Sequence, residues 1–155
     1  IKSNKYMVPA TCVLVSKLNP QFPRVWLPDI QKAEAAVCST EFMPFVPRQR
    51  EWRSFLYETV WSDSFQTEIQ TRATGSTGSR QRVKPKEVAV VPVVVPPEPL
   101  IDAFGSESSP LHEQQLANIR ESETLAALRD TLLPRLLSGE LRVPAAERAA
   151  VEARS

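Results

Sequence analysis

The chain has 155 residues, of which 42% are hydrophobic and 24% are charged, and its formal net charge is +1. These values are typical of a folded domain with an extension and exclude an intrinsically disordered chain. No run of about 18 apolar residues occurs, so no membrane-spanning helix is predicted. The charge is uneven, because residues 1–97 hold thirteen basic and eight acidic residues, whereas residues 98–155 hold six and ten.

The first third of the chain is predicted to form strands joined by stiff connections. Residues 11–18 are β-branched and apolar, which favours a buried strand. Prolines then exclude helix from residues 19–28 and favour an extended path. Residues 35–47 predict a second pair of strands, whose ends are set by Pro44 and Pro47.

Residues 50–71 change to a helical pattern of apolar side chains. The segment Ser62-Asp63-Ser64 predicts an N-cap and a second short helix that continues through Ile69. Six aromatic side chains are assigned to the core: Trp26, Phe42, Phe45, Trp52, Phe55 and Trp61. Cys12 and Cys38 are expected to be two buried, unpaired thiols in a reducing cytosol.

Residues 87–99 predict an apolar strand that Pro96-Pro97 ends at a domain boundary. The predicted organisation is therefore a domain over residues 1–97, a helical region over 98–143 and a tail over 144–155.

A long helix is predicted from Pro110 to Ser138, with Gly139 as its C-terminal stop. Pro134 is expected to end this helix near Thr131 and to begin a second short helix over residues 134–141. Leucines recur at heptad spacing, which is typical of a helix that pairs with another helix. The predicted interface comprises Leu111, Asn118, Leu125, Leu128, Leu132, Leu136 and Leu137. The alternative is that this stripe packs back on its own domain.

Catalytic chemistry is not predicted. The chain has one histidine, His112, and two cysteines without metal-ligand spacing, so neither a metal site nor a nucleophile–histidine pair is expected. Binding is the predicted activity. Residues 72–86 contain five basic residues and no acidic one, a pattern that favours contact with a polyanion and that also suits an ordinary solvated loop.

Four stretches, in this order, resemble the DNA-specificity subunit of type I restriction-modification systems. They are "LVSKLNPQFPRVW" at 14–26, "AVCSTEFMPFVP" at 36–47, "TRATGSTGSRQRVKP" at 71–85 and "ETLAALRDTLLPRLLSGELRV" at 123–143. The resemblance implies an α+β fold, in which a mixed α/β target-recognition domain precedes a long coiled-coil-forming helix.

The resemblance also implies a function and partners. The chain would bind half of a bipartite site in double-stranded DNA and dock methyltransferase (M) and restriction (R) subunits in the cytoplasm of a bacterium or archaeon. It would bind no cofactor itself, while S-adenosylmethionine, ATP and Mg would belong to the partner subunits. Complete subunits carry two recognition domains and two helices, so this chain is expected to be a fragment with an incomplete first domain. Its helix would then meet the second half of a subunit or another copy of the chain.

Candidate DNA-binding residues lie in two segments. The glycine-bearing loop would bring the main chain, hydroxyls and cations to phosphate oxygens, and Gln81 could alternatively read a base edge. The candidates are Lys17, Asn19, Arg24, Arg72, Thr74, Gly75, Ser76, Thr77, Gly78, Ser79, Arg80, Gln81, Arg82 and Lys84. The rival hypothesis is a coiled-coil protein-interaction module that does not bind DNA.

Overall fold

The computed structural model of the protein describes residues 4–30, 36–75, 81–142 and 151–152. The chain divides into two units, Ile1–Leu111 and His112–Ser155. Strands and helices are both present, and a long helix follows them, so the predicted α+β class is confirmed.

Within the described residues, five strands form two small antiparallel sheets. The strands are β1 (Lys5–Met7), β2 (Val13–Ser16), β3 (Val25–Trp26), β4 (Val37–Ser39) and β5 (Phe42–Phe45). One sheet pairs β1 with β4, and the other has the order β3-β2-β5. The predicted strand within residues 11–18 is therefore confirmed as β2, the central strand of the larger sheet.

The two strands predicted within residues 35–47 are present, but they pair with different partners. β4 pairs with β1, whereas β5 pairs with β2. Pro44 was expected to end a strand, and this was wrong, because it lies inside β5 opposite Leu14. A proline lacks the N–H that a central strand needs, and β5 tolerates it because it lies at an edge of the three-stranded sheet.

The four residues of β2 are all buried, and alternate side chains enter different cores. The main core consists of Val13, Val15, Met43, Val60, Phe65, Ile69, Val83, Val88 and Val91. The second, smaller core consists of Val8, Cys12, Leu14 and Cys38. Burial on both faces explains why the sequence of β2 is continuously apolar up to Ser16.

The aromatic core predicted from the sequence was wrong for two residues. The Trp26 side chain is 62% exposed and that of Trp61 is 46% exposed. The other four rings, those of Phe42, Phe45, Trp52 and Phe55, are half-buried. The main core is filled mostly by valines instead, together with Ile69, Met43 and Phe65.

Cys12 and Cys38 are free thiols in the second core, as predicted. Burial raises the pKa of both thiols. Both therefore remain protonated and behave as small apolar side chains.

The helical segment predicted over residues 50–71 is confirmed. A 3₁₀ turn, Arg50–Trp52, leads into α1 (Arg53–Trp61), and α2 (Asp63–Thr71) follows directly. Ser62 caps α2 as predicted, because its hydroxyl accepts a hydrogen bond from the Phe65 N–H at 3.4 Å.

Arg53, the first residue of α1, ties this helix to the sheet. Its guanidinium donates to the carbonyl of Cys12 at 3.2 Å and to the carbonyl of Pro28 at 2.7 Å. These carbonyls flank the larger sheet, one just before β2 and one just after β3. A single cation thus satisfies main-chain acceptors from two segments that the sheet ladder leaves unpaired.

The strand predicted over residues 87–99 was wrong. The chain forms a short helix, α3 (Pro85–Val88), and then runs without regular structure to Pro97. Pro92, Pro96 and Pro97 have no N–H to donate to a ladder, which prevents pairing. Only Val88 and Val91 of this valine-rich stretch enter the core.

The long helix, α4, extends over Glu98–Leu137 and begins twelve residues before its predicted start. Its first turns belong to the first unit. Ile101 is buried, the Trp52 Nε1–H donates to the Asp102 carboxylate at 2.9 Å, and the Ser54 and Ser109 hydroxyls are 2.9 Å apart. Packing against α1 therefore extends the helix beyond the region where the heptad pattern is visible.

Gly105 permits a close approach of α4 to the 3₁₀ turn. A Cβ atom at this position would lie 2.7 Å from the main-chain oxygen of Glu51. Any side chain would therefore push α4 away from the 3₁₀ turn.

Pro134 does not end the long helix, so the prediction of a second helix over residues 134–141 was wrong. Loss of one N–H is a local defect, and the Ser138 N–H still donates to the Pro134 carbonyl at 3.0 Å. Gly139 is confirmed as the stop, with φ of 75° and an N–H that donates to the Leu136 carbonyl at 3.1 Å. The predicted tail, apart from residues 151–152, lies outside the described residues.

Across the described ranges, no helix is both long enough and apolar enough to cross a membrane.

Gly105→Ala is expected to destabilise the first unit. The clash with Glu51 costs about 1–3 kcal/mol, and the better helix propensity of alanine recovers about 1 kcal/mol. Urea unfolding followed by tryptophan fluorescence measures the change, because Trp52 lies at this contact. Ala103→Ser, at an exposed position of the same helix, is the control, and equal stability of the two variants would contradict the close approach.

Candidate nucleic-acid interface

The structure brings the two predicted DNA-binding segments together. The Asn19 N–H donates to the Gln81 carbonyl at 2.8 Å, and the Val83 N–H donates to the Lys17 carbonyl at 3.1 Å. Leu18 and Arg82 form an antiparallel bridge between these bonds. The pairing continues the course of β2, so residues 17–19 and 81–83 lie side by side at one end of the larger sheet.

A second antiparallel bridge closes the glycine-bearing loop at its base. The Thr74 N–H donates to the Arg82 carbonyl, and the Arg82 N–H donates to the Thr74 carbonyl, both at 2.9 Å. Gly75 directly follows Thr74 of this bridge, and the half-buried Gln81 directly precedes Arg82. Five predicted contact residues lie outside the described residues: Ser76, Thr77, Gly78, Ser79 and Arg80.

Asn19 makes a left-handed turn at the end of this pairing. Its φ is 48°, a conformation that asparagine adopts more readily than most residues, and its carbonyl accepts a bond from the Phe22 N–H at 2.9 Å. The turn carries the chain through the proline-rich segment and back into β3.

Two of the predicted phosphate-binding arginines are already in ion pairs. The Arg82 guanidinium donates to both carboxylate oxygens of Glu41, at 2.9 and 3.1 Å, and Arg72 pairs with Glu68 at 2.8 Å. The hydrogen bond from Arg82 is the main reason that the pKa of the Glu41 carboxyl lies below its ordinary value. The absence of acid within residues 72–86 therefore overstates the net charge of this surface.

Lys17 and Arg24 lie at the same end of the sheet. Lys17 is close enough to Glu41 to contribute to the lowered pKa of that carboxyl. The Arg24 carbonyl accepts a bond from the Ser16 N–H at 3.0 Å, and its side chain is exposed. Lys84 is also exposed, at the N-terminus of α3. This end of the sheet thus presents several cations around one carboxylate.

The acidic partners could have been found in part from the sequence. Glu68 and Arg72 are four residues apart, the first on a predicted helix and the second just beyond it, a spacing that favours an ion pair. Glu41 and Arg82 are 41 residues apart, and only the pairing of residues 17–19 with residues 81–83 brings them together.

The predicted helix stripe is largely accessible on α4. Leu111 and Leu137 are 70% and 79% exposed, and Asn118 and Leu125 are also exposed. The other predicted members, Leu128, Leu132 and Leu136, are half-buried. The side-chain amide oxygen of Asn118, Oδ1, accepts a hydrogen bond from the side-chain Nε2–H of Gln114 at 2.8 Å on the same helix.

Within the described residues, no group of three or more histidine, cysteine or acidic side chains could hold a metal ion.

Two curated proteins are similar to parts of this chain. Over 51 residues it is 41% identical to the type I restriction enzyme MjaIX specificity subunit of Methanocaldococcus jannaschii. This alignment covers 33% of this chain and 12% of that protein. Over 96 residues it is 27% identical to the type I restriction enzyme HindI specificity subunit of Haemophilus influenzae, covering 62% of this chain and 21% of the relative. The matched part of the chain thus spans 12% and 21% of the lengths of these two relatives. No family model matches the chain. No solved structure matches it.

Glu41→Gln is expected to lower stability only where Glu41 is ionised. At pH 7 the loss is at most about 1 kcal/mol, because both partners are partly exposed. Since the pKa of Glu41 is depressed in the folded state, the stabilisation is present above the ordinary glutamate pKa of about 4.3 and is lost as pH falls through the folded value.

Unfolding in urea at a series of pH values measures this difference. The stabilities of the wild type and Glu41→Gln should converge on the acid side. Glu51→Gln, which removes an exposed carboxylate from the 3₁₀ turn, serves as the control. A Glu41→Gln effect that does not change with pH would contradict the ion pair as its cause.

Proposed function

We propose that this chain acts as part of a DNA-specificity subunit of a type I restriction-modification system. The similarity to two curated proteins of that name carries the proposal. In this role the chain recognises DNA and performs no catalysis, and methyltransferase and restriction subunits supply the chemistry of the assembled complex.

The DNA-binding surface is proposed to be the end of the sheet where residues 17–19 meet residues 81–83. Lys17, Arg24 and Lys84 supply cations for phosphates, since phosphate contacts position a protein on a duplex. Arg82 lies on the same surface and can exchange the Glu41 carboxylate for a phosphate oxygen. Gln81, at the base of the loop, is placed to reach a base edge.

The exposed stripe on α4 is proposed to pair with the equivalent helix of a second copy. Leu125 and Leu137 on this helix are large apolar side chains in contact with water, and helix pairing would remove them from it. A two-fold pair of this kind would present two recognition domains to a divided DNA site.

A coiled-coil interaction module without DNA affinity is the second candidate. The ion pairs Arg72–Glu68 and Arg82–Glu41 favour it, because both arginines already have a stabilising role within the fold. Under this hypothesis, removal of the charges of Lys17, Arg24 and Lys84 would have no functional effect.

The salt dependence of DNA binding separates the two candidates. If about four phosphates are contacted, log affinity for random duplex DNA should fall with log salt at a slope near −3.6. Lys17→Gln combined with Arg24→Gln removes two of these contacts and should make the slope shallower by about 1.8. Fluorescence anisotropy of a labelled duplex across a salt series measures both values.

A control with the same charge change is available on the other unit. Arg129→Gln combined with Arg142→Gln alters two exposed arginines, one on α4 and one just beyond its end, and should leave the slope unchanged. A slope near zero for the wild type would reject DNA binding. Equal effects of the two double variants would reject this location for it.

Leu125→Lys is expected to weaken self-association at least about tenfold, because it places a charge in an apolar helix seam. Ala127→Lys adds the same charge at an exposed position on the opposite side of the helix and should have little effect. Sedimentation equilibrium measures the dimer dissociation constant. A wild-type chain that is monomeric at all concentrations would contradict pairing with a second copy.

A further inference from the structure

The face of the larger sheet that points away from the main core carries two aromatic rings. Val13, Val15 and Met43 point into the main core, so the residues between them point to the other face. Trp26 is paired with Leu14, and Phe42 is paired with Ser16, so both rings lie on that second face.

These rings meet across the central strand. Their centroids are 5.8 Å apart and their planes are inclined by 26°, which is a stacked arrangement. Ser16 lies between them on β2 and is buried, and its small side chain leaves room for the rings to approach. Within this pair, Phe42 is half-buried, whereas Trp26 remains 62% exposed.

An open recess adjoins the exposed tryptophan. Its volume is about 260 Å³, and it is lined by Arg24, Val25, Trp26 and Phe42. The recess therefore combines the ring of Trp26, which stacks on Phe42, with an arginine, Arg24, in its lining. This combination suits a planar ring that carries a negatively charged group.

The charge around the recess favours nucleic acid over an apolar protein partner. Lys17 and Arg82 lie at the same end of the sheet as Arg24, and the acidic side chain beside them, Glu41, is held by Arg82. Aromatic side chains next to cations are the arrangement by which proteins stack unpaired bases and hold the adjoining backbone.

We propose that this recess binds a nucleobase that has left the base stack of DNA. Trp26 stacks on the base, Phe42 supports the tryptophan ring, and Arg24 contacts the adjoining phosphate. The inference deepens the proposed function and rests on it, because the recess adjoins the proposed duplex-binding surface.

Three duplexes that differ at one position test the proposal. One is fully paired, one carries a single extrahelical thymidine, and one carries an abasic nucleotide in place of that thymidine. The wild-type chain should bind the thymidine bulge at least about fivefold more tightly than the abasic bulge. Trp26→Ala should abolish this preference, and Trp26→Phe should retain part of it, while both variants bind the paired duplex like the wild type.

Trp61→Ala is the matched control, because Trp61 is also exposed but stacks on Tyr57 of α1. It should retain the full preference. Equal wild-type affinity for the two bulges, with salt-dependent binding of the paired duplex intact, would overturn the recess alone. Loss of binding to all three duplexes would overturn the proposed function as well. If Trp26→Ala changes self-association, measured by sedimentation, but leaves the affinity for all three duplexes unchanged, the surface is a protein interface and the proposal is wrong.

Discussion

Two main-chain hydrogen bonds, from Asn19 to Gln81 and from Val83 to Lys17, hold the candidate site together. They extend β2 beyond its sheet and bring a proline-rich turn beside the base of the glycine-bearing loop. The Glu41–Arg82 ion pair depends on this pairing, because no local spacing brings the two side chains together. Val83, which is fully buried, anchors the same segment in the main core. The surface that carries the cations is therefore positioned by main-chain geometry rather than by the cations themselves.

The rest of the first unit supports β2. Arg53 joins α1 to the carbonyls before β2 and after β3, so one guanidinium fixes the helix against both segments. The first turns of α4 then pack against α1, and Gly105 allows α4 to approach the main chain of the 3₁₀ turn that precedes α1. Bonds from Trp52 to Asp102 and between Ser54 and Ser109 add polar links along this contact. A helix whose heptad stripe is predicted to pair with another helix thus also completes the fold of the first unit through its first turns.

The sequence predicts elements well where the local signal is strong, as at β2, the Ser62 cap and the Gly139 stop. The prediction fails where tertiary packing or a series of prolines determines the secondary structure. The valines at 90–95 predicted a strand, but Pro92 and Pro96 lack the N–H groups that strand pairing needs. Because its first turns pack on α1, α4 begins at Glu98, before the predicted start. The candidate site was predicted as two separate segments, and their adjacency results from a long-range pairing that the sequence does not indicate. Neither the Glu41–Arg82 pair nor the exposure of Trp26 has a local sequence signal, because both depend on which strands become neighbours.

Hydrogen–deuterium exchange of the whole chain, with and without duplex DNA at low salt, tests the central claim most directly. Bound DNA shields the main-chain amides that it covers, so exchange should slow in peptides that span residues 14–26 and 81–86. Peptides from residues 112–137 should exchange at the same rate in both states. Protection confined to the helix, or the absence of any change at saturating DNA, would contradict a recognition surface at this end of the sheet.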